Sequence, residues 1–119
     1  MSEPRRDLSK KALGAYGETL VARWYESGGY TVVARNWRCR EGELDLVATR
    51  DDLVVFCEVK TRSTDLFGVP AEAVGWRKQR KVRALAAIWI ETTGVRPRAI
   101  RFDVAGVLRQ QVDVIEAAF

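Results

Sequence analysis

Three residues in the stretch GELDLVATRDDLVVFCEVKTR, Gly42 to Arg62, have types and spacing that could do chemistry together: Asp45, Glu58 and Lys60. Two carboxylates gathered on one face repel each other unless a positive group sits between them. A set of oxygen ligands suits a hard divalent cation, Mg²⁺ or Mn²⁺, better than zinc. Asp45 and Glu58 are the candidate ligands, with the main-chain carbonyl of Val59 as a further one. Lys60 follows Glu58 by two residues, so on a strand it points to the same side. There it can offset charge building on a phosphate or position an attacking water. The chemistry these residues describe is metal-assisted hydrolysis of a phosphodiester; the plainer alternative is a half-exposed lattice of salt bridges on a sheet surface.

The elements that must position them are two strands. Leu44, Leu46 and Ala48 alternate with Glu43, Asp45 and Val47, and Leu53, Val55, Cys57 and Val59 alternate with Val54, Phe56, Glu58 and Lys60. Such alternation is the mark of a strand with one apolar face. With Thr49 to Asp52 as the turn, Ala48 pairs with Leu53 and Leu44 with Cys57, which leaves Asp45 diagonal to Glu58. A slip of one residue would send the acids to opposite faces, so the apolar pattern selects the register that gathers them.

Around this hairpin the pattern predicts a helix from about Leu8 to Ser27, with Leu13, Tyr16, Leu20 and Trp24 as its stripe and Ser27, Gly28 and Gly29 as its stop. Gly14 and Gly17 weaken the helix but admit close approach of another backbone. Tyr30 to Arg35 reads as the first strand, Asn36 to Gly42 as a loop, and Ser63 to Val69 as a second loop. Pro70 can open a helix that runs to Thr92, with Val74, Lys78, Val82, Leu85, Ala86 and Trp89 as its packing face. Ala99 to Val107 and Gln111 to Ile115 close the chain as strands. Asp103 reads as an edge-strand acid near Arg101, with support of the site as the other role open to it. The resulting fold class is α/β, a mixed sheet flanked by two helices in the order αβββαββ. Residues 1–8 read as a flexible tail and 9–119 as one domain.

The chain has 119 residues, no histidine, two cysteines and a net charge of +4. That length holds one domain with a real core, and Cys39 and Cys57 without any histidine argue against a zinc site. No secretory signal is visible, and the longest apolar run, Ala84 to Ile90, is too short to cross a bilayer. A cytoplasmic protein without a membrane partner is expected. The basic residues are clustered: Arg35, Arg38 and Arg40 surround Trp37, Arg62 closes the hairpin stretch, and Arg77, Lys78, Arg80, Lys81 and Arg83 crowd the N-terminal half of the second helix. Arginine beside an aromatic suits phosphate contact with base stacking, and cations at the unfavourable end of a helix dipole are easier to understand opposite phosphates. A nucleic-acid partner is expected, DNA ahead of RNA. The alternative to an enzyme is an accessory module that binds nucleic acid without cutting it.

The arrangement of Asp45, twelve intervening residues, then Glu58, Val59 and Lys60 resembles the PD-(D/E)XK signature of restriction endonucleases and archaeal Holliday-junction resolvases. More narrowly, Gly14, Gly17-Glu18, Ala22, Gly29-Tyr30, Asn36, Arg38, Gly42-Glu43-Leu44-Asp45-Leu46 and Phe56-Cys57-Glu58-Val59-Lys60-Thr61-Arg62 resemble the bacterial YraN family of uncharacterised, endonuclease-like proteins. The likeness runs from about Leu13 to Val104; Leu44 stands where Ile is usual and Cys57 where Val is usual, and both stay apolar. What the resemblance implies is a restriction-endonuclease-like core in which Glu18 joins Asp45, Glu58 and Lys60 in the active site and reaches the metal. Resolvase-like relatives also imply a homodimer as one arrangement.

Overall fold

Seven elements follow in the order anticipated: α1 (Arg6–Ser27), β1 (Thr31–Cys39), β2 (Gly42–Arg50), β3 (Leu53–Arg62), α2 (Trp76–Thr93), β4 (Ala99–Leu108) and β5 (Gln111–Ile115). The computed structural model describes residues 6–62 and 74–119. The Ser63–Val69 loop and the helix start at Pro70 lie outside the described residues. The strands form one five-stranded sheet in sequential order, antiparallel except where β3 and β4 run parallel. A parallel neighbour needs a crossover, and α2 supplies it.

Each helix covers one face. On the α1 side, Val21, Ala22 and Tyr25 pack with Leu46, Ala48, Val55, Cys57, Ala105 and Val107. On the α2 side, Val82, Leu85, Ala86 and Trp89 pack with Val47, Val54, Phe56 and Phe102. Phe56 is fully buried, edge-on to Trp89 and stacked with Phe102, each with ring centroids 5.7 Å apart. Burial of a side chain of this size stabilises the fold by roughly 1.5–3 kcal/mol.

Val82, Leu85, Ala86 and Trp89 of α2 face the core where the sequence places them, whereas Val74 precedes the helix, which starts at Trp76 after an N-cap Gly75, and Lys78 is exposed. The α1 stripe does not fall where the sequence places it: Tyr16 and Trp24 are exposed and Gly17, Val21 and Tyr25 turn inward. The cause is Gly17, where a Cβ would run into the Thr61 side chain of β3. This close approach rotates the inward face by about one residue from the most apolar one.

Two further departures bear on the site. The β2–β3 turn contains two residues, Asp51 and Asp52, with Asp51 at φ 55°, so Ala48 pairs with Val55 and Leu46 with Cys57. The register is shifted by two from expectation, which by itself leaves the paired residues Leu46 to Arg50 and Leu53 to Cys57 on their expected faces. Asn36 to Cys39 belong to β1 rather than to a loop, and Asn36 takes φ 51° inside the strand, a conformation asparagine tolerates better than most residues. Alternation breaks there. Ala34 and Trp37 both pack on the α2 side, as do Leu44 and Val47 on the partner strand, although each pair is separated by an odd number of positions. Leu44 therefore leaves the face of Leu46 and Ala48.

Asp103 lies on β4, an interior strand, and is fully buried rather than at an edge. Arg101 donates to it through Nε and Nη2 at 2.8 and 2.9 Å, Tyr25 Oη at 2.6 Å and the Ala117 amide at 3.1 Å. This network ties α1, β4 and the C-terminal residues together and satisfies the carboxylate completely.

Candidate active site in the gap between two strands

The β2–β3 ladder ends at Leu46 and Cys57, while β2 stays paired with β1 to Gly42 and β3 stays paired with β4 to Arg62. The two strands part, and Asp45 and Glu58, the next residues on either side, stand at the mouth of the gap. Asp45 Oδ2 accepts the Val59 amide at 2.9 Å, taking the hydrogen bond a continued ladder would have made. Within a strand the N–H and C=O of one residue point the same way, so the Val59 carbonyl also faces the gap.

Alternation on β3 sends Glu58 and Lys60 toward α2 and Val59 toward α1. Glu58 is only 2% exposed, and Lys78 of α2 closes on it, with Nζ 3.2 Å from Oε1. From the other side Glu18 of α1, next to the close-packed Gly17, accepts Asn36 Nδ2 at 2.9 Å. Asp45 sits at the changeover of faces and is felt from both sides.

The pKa directions follow from this placement. Glu58 has its pKa raised by burial and then by Asp45, with Lys78 and Lys60 opposing. Burial also raises Asp45, against the pull of the Val59 amide, Lys78 and Lys60, while Glu43 adds to the rise. Glu18 is raised by burial and by Asp45, against its hydrogen bond from Asn36. Three carboxylates thus carry charge at a cost that a nearby cation relieves, and Lys60 acts on both Asp45 and Glu58. The donor set is oxygen only and partly desolvated, which fits Mg²⁺ or Mn²⁺. Among the described residues no three acids are drawn together into a ready ligand set; the cation beside Glu58 is Lys78.

The other candidates divide. Lys78, Lys81 and Arg38 line a groove of about 380 Å³ with Cys39, Gly42, Glu43 and Leu85, between α2 and the β1–β2 turn. This groove adjoins the acids through Lys78. Arg38 is paired with Glu43 at 3.3 Å, and Arg40 is exposed in the turn. Arg35 instead donates to Thr19 at 3.0 Å, and Trp37 packs against the α2 core. Arg62 ends β3, half-buried. Arg77 and Arg80 flank the ring of Trp76, 60% exposed, at 5.3 and 5.6 Å. Sequence reasoning missed Trp76, although an aromatic directly ahead of a basic run was visible. It also missed that Lys78 serves Glu58, a contact for which its place on the apolar stripe of α2 was the only signal.

A model of the uncharacterised protein family UPF0102 matches residues 17–107. A UPF0102 protein of Beutenbergia cavernae is 52% identical over 101 residues, covering 85% of this chain and 86% of its own. One from Nocardioides sp. is 50% identical over 100 residues, covering 84% and 81%. One from Nocardia farcinica is 47% identical over 115 residues, covering 92% and 91%.

Proposed function

The chain belongs to the uncharacterised protein family UPF0102, and from that premise we propose that it is a divalent-metal-dependent endonuclease-like protein acting on DNA phosphodiester bonds, with branched, flapped or single-stranded DNA as the substrate class. The observation that carries this reading is the juxtaposition of Asp45 and Glu58 where the β2–β3 ladder ends, with Lys60 on the same face of β3 as Glu58 and a groove lined by three basic residues alongside, while Glu18 acts on Asp45 from the α1 side. Asp45 and Glu58 would hold Mg²⁺ or Mn²⁺, with the Val59 carbonyl and Glu18 as further ligands. The metal, when bound, lowers the pKa of a coordinated water and offsets charge on the scissile phosphate.

The chain's own residues supply the rest. Lys60 keeps an ammonium beside both carboxylates, placed to stabilise charge on a non-bridging phosphate oxygen. Asn36 and the close-packed Gly17 fix Glu18, and the Val59 amide fixes Asp45, so the acids are held before substrate arrives. Arg38 and Lys81 offer phosphate contacts along the groove, while Trp76 with Arg77 and Arg80 offers a stacking surface for an unpaired base. No helix among the described residues is long and apolar enough to cross a membrane.

Purified protein with Mg²⁺ or Mn²⁺ is expected to nick labelled flapped, branched or single-stranded DNA, and Asp45→Asn, Glu58→Gln and Lys60→Ala are expected to lose at least a hundredfold in rate while remaining folded. Absence of cleavage across that panel, with salt-sensitive binding that Lys60→Ala leaves unchanged, would replace the enzyme with a binding module.

A further inference from the structure

Glu58 is nearly sealed, yet the charge that balances it comes from another element. The Glu58 side chain is 3% exposed and that of Lys78 is 44% exposed, so the pair joins a buried anion to a cation on a half-exposed side chain. Lys78 lies in the first turn of α2, which contains no acid, where a positive charge opposes the helix dipole. A salt bridge of this kind gives a buried carboxylate the partner it requires. It also sets an ammonium 3.2 Å from Glu58, close enough to lower the pKa of Asp45 as well. The adjoining groove, which holds Lys78 with Arg38 and Lys81, gives this half-exposed side chain somewhere to go.

We propose that Lys78 is a tethered counter-cation of the acid pair: it occupies the cation position at Glu58 until a divalent metal displaces it into the groove, where it takes a phosphate of the nucleic acid. This rests on the metal-site reading above. Metal and nucleic acid then bind with positive coupling, because each removes Lys78 from the place that hinders, or holds it in the place that helps, the other.

Calorimetric titration of Mn²⁺ at pH 8, without nucleic acid, tests this on the wild type, Lys78→Met and Lys78→Arg. Lys78→Met is expected to bind Mn²⁺ about tenfold more tightly, the order given by removing a unit charge a few ångströms from a divalent ion in high-dielectric surroundings. Lys78→Arg is expected to stay within about twofold of wild type, because it keeps the charge that competes. Equal affinity in all three proteins overturns the role of Lys78 and leaves the metal site standing. Weaker binding by Lys78→Met also overturns it, since Lys78 would then support the ion rather than compete with it. No binding by any of the three removes the metal site, and this inference with it.

Discussion

Gly17→Ala joins the fold to the site in a single methyl group. In an exposed helix interior, Gly→Ala gains about 1 kcal/mol from reduced backbone freedom. At Gly17 the added Cβ would run into Thr61 Oγ1 and would also lie 3.0 Å from Thr61 Cβ and Cγ2. Rotating Thr61 therefore exchanges one overlap for another, and β3 cannot retreat because Thr61 is paired with Val107 of β4. Overpacking of this sort costs about 1–3 kcal/mol, so the helix gain is cancelled and the net effect is a loss of up to about 2 kcal/mol, at most roughly 8 °C in Tm for a chain of this size. Gly14→Ala is the internal control: no described atom lies within 4 Å of its added Cβ, so it should gain about 0.5–1 kcal/mol. Urea denaturation followed by circular dichroism gives both values, and Gly17→Ala combined with Thr61→Ala should recover most of the loss. Because Glu18 follows Gly17 directly, the single variant should also bind Mn²⁺ less tightly. A Gly17→Ala protein as stable as Gly14→Ala would refute the close contact and the helix placement derived from it.

Arg101→Met leaves Asp103 buried without its bidentate partner and should cost about 3–5 kcal/mol by thermal or urea unfolding; a loss under about 1 kcal/mol would show that Tyr25 and the Ala117 amide suffice. The raised pKa of Glu58 means that its contribution to stability is full below its unfolded value, about 4.3, and is lost as pH rises through the folded value. Glu58→Gln should therefore gain on the metal-free wild type as pH increases from about 4, and saturating Mg²⁺ should remove that advantage; urea midpoints across pH, with chelator and with Mg²⁺, check the sign. Trp76→Ala should weaken binding of a single-stranded oligonucleotide by about 1–3 kcal/mol and binding of a blunt duplex by less, as read by fluorescence anisotropy; equal effects on both would argue against stacking.

The element order and the mixed sheet were legible because strand alternation and the α2 stripe are direct products of burial. The hairpin turn is two residues shorter than the apolar pattern implies, but a shift of two preserves faces, so Asp45 and Glu58 still lie next to each other at the end of the ladder. The sheet's change of faces is not legible in the sequence, since it accompanies a register irregularity between Val32 and Ala34 and the positive φ of Asn36, which nothing in the apolar pattern announces; Leu44 and Trp37 therefore face otherwise than alternation implies. The α1 stripe was read from its largest apolar residues, whereas packing followed its smallest. In the sequence Lys78 is one of a run of basic residues, and only the fold brings Glu58 of β3 to within 3.2 Å of it.

The most direct measurement of the central claim is an anomalous difference map from crystals grown in Mn²⁺. The account predicts a peak in the gap between β2 and β3, about 2.0–2.4 Å from carboxylate oxygens of Asp45 and Glu58, and its disappearance in Glu58→Gln. Well-ordered crystals with Mn²⁺ elsewhere on the surface and none between those two acids would contradict it.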